Sequence, residues 1–159
     1  MVARSGQLMS PSLVRQVNAA APITGTDYQS AMFARGALFR RVQSLFHRGD
    51  FLVTPTLLRP ALPIEQDLFD PIDIDGVMVP DLRPSWFPWT MPFNLTGHPA
   101  ISVNCGFSPE GLPIGLQLVG RFRDETALLR TAALFEASSD LTGRWPPGLQ
   151  SLCTEDLTG

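Results

Sequence analysis

Trp86, Phe87, Trp89 and Thr90 fall within five consecutive residues of "SWFPWTMPFN". They stand before a proline-bounded stretch that runs through Asn94 and Gly97 into an alternating strand. Three rings and a hydroxyl so placed suit either of two tasks, the wall of a small-molecule pocket or hydrophobic cover for a core. Asn94 fits a structural role, because asparagine in turn-rich sequence ties backbone groups together. His98 and Cys105 are the residue types of a thiol nucleophile and its base. Cys105 belongs, however, to an apolar strand face, where a buried thiol is inert. Asp70, Asp73, Asp75 and Gly76 outline a calcium loop, but the spacing is wrong and no glutamate closes it. A polar surface hairpin accounts for them. Two histidines and two cysteines, Cys105 and Cys153, give neither a zinc ligand set nor a disulfide framework.

These residues need a scaffold, and 159 residues with 44% hydrophobic content can build one domain with a core. The formal net charge is -3, so the chain lacks the basic surface that nucleic-acid binding requires. All twelve basic residues are arginine; there is no lysine. No run approaches the ~18 apolar residues of a membrane span. The first residues lack the apolar core of a signal peptide. A soluble, reducing, cytoplasmic setting is the expectation.

Ser10 and Pro11 predict a helix start, with the helix running to about Ala20 and stopping before Pro22. Thr26 or Asp27 opens a longer helix, whose stripe includes Leu38, Val42, Leu45 and Phe46, and Gly49 ends it. "FLVT" at 51–54 reads as a buried strand. Nine prolines between 55 and 99 exclude long helices there, and "IDIDGVMV" reads as a hairpin turning at Asp75-Gly76. The acids from Asp67 to Asp81 have no basic neighbour in sequence and read as a solvated loop. Ile101, Val103, Cys105 and Phe107 alternate with polar residues, a turn follows at 108–111, and "PIGLQLVG" is the partner strand. Its glycines sit in a strand pattern, so they form no nucleotide loop. Gly106 and Gly115 imply close packing on the second face. Asp124 caps a last helix with Glu125 in its first turn. The result is an α/β arrangement, a partial mixed β-sheet flanked by helices. One unit spans 1–145, including the proline-rich 55–99 region, and a loosely attached tail spans 146–159. The strands are too apolar for so small a sheet, so the sheet is expected to continue in sequence outside this chain.

Three blocks, "TMPFNLTGHPAISVNCGF", "GLPIGLQLVG" and "DETALLRTAALFE", in this order and spacing, resemble the C-terminal part of the amidase signature family. A weaker likeness covers Ala34 to Thr56. The resemblance implies a carboxylic amide hydrolase or transferase fold. In that family a serine nucleophile, a second serine on a cis peptide and a lysine form the catalytic unit, and all lie in the N-terminal half. This chain has no lysine and no Gly/Ser-rich run. Its tandem serines, Ser138 and Ser139, end a predicted helix without flanking glycines. No catalytic residue and no cofactor or metal is therefore carried over.

What the resemblance does carry over is a substrate wall at Trp86, Phe87, Trp89 and Thr90. In glutamine-using members an acidic residue commonly lies about three positions before the Thr90 equivalent. Phe87 stands there, which favours an aryl or alkyl amide. The partners implied are a missing N-terminal half or another subunit, together with a small-molecule amide. The competing reading is a non-catalytic module that binds a partner through its open sheet face.

Overall fold

The computed structural model describes residues 6–67, 70–74, 76–79, 86–141 and 143–144. Helix α1 spans Pro11–Ala20, and the Ser10 hydroxyl accepts from the Leu13 amide at 3.3 Å, as the Ser-Pro start predicts. Helix α2, Gly25–Leu45, begins earlier than predicted. Thr24 is its cap and Asp27 its third residue. The Asp27 amide donates to the Thr24 hydroxyl at 3.1 Å, and the Thr24 amide donates to the Asp27 carboxylate at 2.9 Å. Asp27 thus takes the place that glutamate commonly holds in a reciprocal cap. The helix stops at Leu45, ahead of Gly49, with Phe46 as its C-cap.

Strands β1 (Leu52–Pro55), β4 (Ala100–Phe107) and β5 (Pro113–Val119) form a sheet in the order β1-β5-β4, and both pairings are antiparallel. Strands β2 (Ile72–Ile74) and β3 (Val77–Val79) form a separate hairpin. Ile74 pairs with Val77, with Gly76 between them as the hairpin reading expects. The Gly76 amide donates to the Asp73 carboxylate at 2.7 Å, and Gly76 has φ 83°. Arg59 donates to the Asp73 carbonyl at 2.6 Å. Asp67 does have a basic partner, the Arg15 guanidinium at 3.9 Å, which sequence proximity does not show. Asp75, Asp81 and Cys153 lie outside the described residues, as does the tail 146–159.

The register sorts side chains onto two faces. Leu118 pairs with Val53 and Ile101, and Leu116 with Pro55 and Val103. Leu116, Leu118, Ile101 and Val103 pack on Leu128, Ala132 and Phe135 of helix α4, Glu125–Ser138. On the opposite face the fully buried Val119 meets Leu52, and α2 closes over them with Leu38, Val42 and Phe46. Phe93 completes that cluster from helix α3, Met91–Thr96. Asp124 caps α4 as predicted, accepting from the Ala127 amide at 3.2 Å.

Three expectations change: the role of Asn94, the cover of β1 and the burial of Cys105. The 55–99 region contains α3, whose six residues are too few to show a helical period. Pro92 occupies its first turn, where the missing N–H costs nothing, and Gly97 ends it at φ 73°. Asn94 is exposed on this helix instead of bracing a loop. Strand β1 is only half-covered, because Val53 at the outer edge of the sheet is 57% exposed. Cys105 is exposed, not buried. The register slips between Asn104 and Gly106, and a bulge of this kind turns the extra residue out of the ladder. The Asn104 side chain holds the bulge by accepting from the Gly106 amide at 3.1 Å.

No helix among the described residues is long and apolar enough to cross a membrane. Gly36 interrupts the middle of α2, and a Cβ there would meet only Arg40 Nη1, at 3.7 Å. Gly36→Ala should therefore stabilise the chain by about 1 kcal/mol through helix propensity. The check is a chemical denaturation midpoint shifted upward at unchanged slope.

Candidate functional site

The α2-facing side of the sheet changes character along its length. Beyond the apolar Leu52–Val119 row come Thr54, Gln117 and Ser102 in one row, then Thr56, Gly115 and Asn104. Alternation on a strand places these on the same face as Val119. The result is a polar strip that continues an apolar core.

Gln117 is buried, and both N–H donors of its side-chain amide are used. Nε2 donates to the Thr54 hydroxyl at 2.8 Å and to the Trp89 carbonyl at 2.9 Å. It fastens the loop before α3 to the sheet. Next along, the Thr56 and Ser102 hydroxyls lie 2.7 Å apart. They meet over Gly115, where a Cβ would stand 2.7 Å from Ser102 Oγ and 2.8 Å from Thr56 Oγ1. The sequence expectation of close packing at Gly115 is met; at Gly106 nothing lies within 4 Å.

This hydroxyl pair floors a groove of about 780 Å³. Its walls are the Pro55–Leu62 segment, Trp86, and the β4–β5 residues around Asn104 and Ile114. The volume lies in the range of small-molecule pockets. The lining is mostly apolar, with Ser102, Thr56, Asn104 and Arg59 as its polar points. Two shared hydroxyls leave one O–H to donate to a ligand and several lone pairs to accept.

Of the four residues predicted to wall a pocket, the structure brings Trp86 to this groove. Its carbonyl accepts from the Leu58 amide at 3.3 Å, which ties the wall to the floor segment. Phe87 is half-buried and its carbonyl accepts from the Thr90 and Met91 amides and the Thr90 hydroxyl. Trp89 is 43% exposed and contributes its carbonyl to Gln117. Phe87, Trp89 and Thr90 thus build the turn that presents Trp86. Thr56, Ser102 and Gln117 carry no signal in the sequence, because they lie far apart along the chain and meet only through the sheet register.

His98 and Cys105 do not form a pair. His98 is buried in an aromatic cage, 5.6 Å from the Phe46 ring centroid, 5.2 Å from Phe39 and 5.8 Å from Phe122. Its Nδ1 lies 2.9 Å from Thr96 Oγ1 and its Nε2 lies 3.2 Å from Gln43 Oε1. Cys105 stands near the far end of β4, roughly 16 Å beyond Ala100 at ~3.3 Å per residue. Ser138 and Ser139 hydroxyls donate to the Phe135 and Glu136 carbonyls, the ordinary bonds of a helix end. Among the described residues no group of three or more His, Cys, Asp or Glu is placed to hold a metal.

The chain aligns with known proteins along most of its length. The family model described as Amidase matches residues 3–129, so the chain belongs to the amidase signature family. It is 38% identical to a glutamyl-tRNA(Gln) amidotransferase subunit of Brevibacillus brevis over 119 residues, 75% of this chain and 22% of that protein. It is 35% identical to an acylamidase of Rhodococcus erythropolis over 125 residues, 79% of this chain and 26% of that protein. Among solved structures it resembles 6-aminohexanoate cyclic dimer hydrolase, with TM-score 0.73 and 27% identity over 93% of this chain and 33% of that one. A bacterial aryl acylamidase gives TM-score 0.68 and 26% identity over 82% of this chain and 26% of that one. The chain spans about a quarter of the length of the two named sequence relatives.

Gly115→Ala should destabilise the chain by about 1–3 kcal/mol, because a Cβ forces the two hydroxyls apart in a packed strip. The denaturation midpoint reads this directly, and an unchanged midpoint would remove the strip as a packing constraint. Burial lowers the His98 pKa from its ordinary 6.5. The unfolded chain therefore binds the proton more readily. Stability from the neutral ring is full above pH 6.5 and falls as pH drops below it. His98→Gln should flatten the slope of stability against pH below 6.5. An unchanged slope in the variant assigns the dependence to other groups.

Proposed function

We propose that these residues are the C-terminal part of a serine-dependent amide hydrolase. They supply part of the sheet and the substrate-pocket wall, while an N-terminal segment or another subunit supplies the Ser–cis-Ser–Lys unit. The observation that carries this is the groove at Trp86, an apolar wall over a hydroxyl floor, in an amidase-family chain without lysine. Serine attacks an amide carbonyl only when a neighbouring base takes its proton. Arginine stays protonated and cannot take it. Ser102 Oγ has the Thr56 hydroxyl for a partner, and a hydroxyl is no base.

In the complete enzyme the serine oxygen bonds to the amide carbon and the amine leaves with a proton. Water then releases the carboxylate and restores the serine. That chemistry requires no metal or cofactor. Trp86 contacts the substrate, and Phe87, Trp89 and Thr90 set its position. The substrate class is an aryl or alkyl amide: the described lining of the groove is mostly apolar and holds no acid, so it offers no counter-charge to the ammonium group of glutamine.

The test compares the purified chain with the chain completed by an N-terminal amidase segment. The chain alone should leave an acyl anilide unhydrolysed, and the completed enzyme should cleave it faster than it cleaves glutamine. Turnover by the chain alone, or a preference for glutamine, overturns the reading. Trp86→Ala in the completed enzyme should lower kcat/KM for the anilide about tenfold or more, the scale of losing one buried ring contact.

A further inference from the structure

A second cavity, of about 590 Å³, lies between α2 and the turn from α3 into β4. Met32, Phe39 and Phe122 give it an apolar floor, and Arg35 and Arg40 stand in its wall. The Phe39 and Phe122 rings meet edge to face with centroids 5.1 Å apart. Among the described residues no acid lines it.

Each arginine is held differently. Arg35 Nε donates to the Leu95 carbonyl, one of the acceptors left open at the end of α3. That bond fixes the guanidinium and leaves its Nη donors for another partner. Arg40 has neither an ion pair nor a hydrogen bond among the described residues. Its Nη1 lies 3.7 Å from where a Gly36 Cβ would stand, so the guanidinium lies back along the helix over the glycine. Arg123 places a third guanidinium 5.3 Å from the centroid of the Phe122 ring. By contrast the neighbouring Arg121 is neutralised by Asp50 at 3.0 Å.

We propose that this cavity binds a small organic anion, a carboxylate or phosphate on an aromatic or alkyl body. The body lies on Phe39 and Phe122, and the anionic oxygens take the Nη donors of Arg35 and Arg40. Three observations converge. Two guanidiniums face one cavity with no acid among its described lining to neutralise them, and the guanidinium fork matches the two oxygens of such a group. The floor is aromatic, so the ligand has an apolar part. Gly36, unfavourable in mid-helix, lines the cavity, and a side chain much larger than a methyl group there would take up part of its space. This cavity is reached from the Phe122 end of the sheet, while the Trp86 groove lies at the Gly115 end, and the two share no lining residue.

The probe is phenyl phosphate, titrated calorimetrically into the full chain, with benzyl alcohol as the neutral counterpart. Phenyl phosphate should bind at least about tenfold more tightly than benzyl alcohol, the scale of one charge-assisted contact. Arg40→Gln should weaken phenyl phosphate about tenfold, and Gly36→Leu should abolish binding of both probes. Phenylglyoxal labelling of the unaltered chain, read by mass spectrometry, needs no variant. Phenyl phosphate should slow modification at Arg35 and Arg40 and leave Arg130 unchanged. Equal affinity for the two probes, or absence of protection at Arg35 and Arg40, overturns the proposal. Binding that survives both Arg40→Gln and Gly36→Leu does the same.

Discussion

Strand β5 is hydrogen-bonded along both edges, and that constraint organises everything else in the described fold. A strand paired on both sides cannot slip by one residue without moving every side chain to the other face. Leu116 and Leu118 are therefore committed to α4, and Val119 to α2 and α3. Gln117 falls between two apolar neighbours, on the face that holds Val119. A polar side chain so buried must be bonded, and its two partners decide where the loop before α3 can lie. The position of Trp86 at the groove is thus a consequence of strand register, passed through one amide and one tight turn.

The opposite end of the same face shows how a different solution arises from the same geometry. There α2 closes on the sheet through rings: Phe39, Phe46 and Phe122 surround His98, and its two nitrogens reach Gln43 and Thr96. One imidazole joins α2 to the last turn of α3 and the entry of β4. Its tautomer follows from its partners, since Gln43 Oε1 accepts and Nε2 must therefore carry the hydrogen, leaving Nδ1 to accept from Thr96. A histidine used in this way is structural, and its two bonds leave it no freedom to serve a nucleophile.

Elements with their own local signal are legible in the sequence. The Ser10-Pro11 start, the β2–β3 hairpin with Gly76 in its turn, the β4–β5 pair and the Asp124 cap all rest on residues within a few positions of one another, and each stands in the structure where its residues place it. The start of α2 is ambiguous because Thr24, Thr26 and Asp27 each offer a capping oxygen, and only the reciprocal bond between Thr24 and Asp27 decides. Helix α3 is hidden because six residues carry no period. The exposure of Cys105 is hidden because a bulge inserts one residue into an alternation that otherwise counts correctly. In the groove, Trp86 is legible as an aromatic in a loop. Thr56, Ser102 and Gly115 are not, since a threonine, a serine and a glycine on three strand segments have no common signal until the sheet aligns them.

The described lining of the groove supplies shape and hydrogen-bonding groups. A serine nucleophile needs a neighbour that is unprotonated at neutral pH and within hydrogen-bond reach. The twelve cations here are all arginine, which bind anions well and accept protons never. His98 is occupied in its cage. The hydroxyls of Thr56 and Ser102 have each other. Every described polar group that faces the groove floor is therefore suited to orienting a ligand, by donating or accepting one hydrogen bond, and none is suited to activating a nucleophile. Binding and bond cleavage make separable demands on a fold. The first asks for a wall fixed to a rigid sheet, which β5 and Gln117 provide. The second asks for a base of matched pKa, and none of the described residues that line the groove is one.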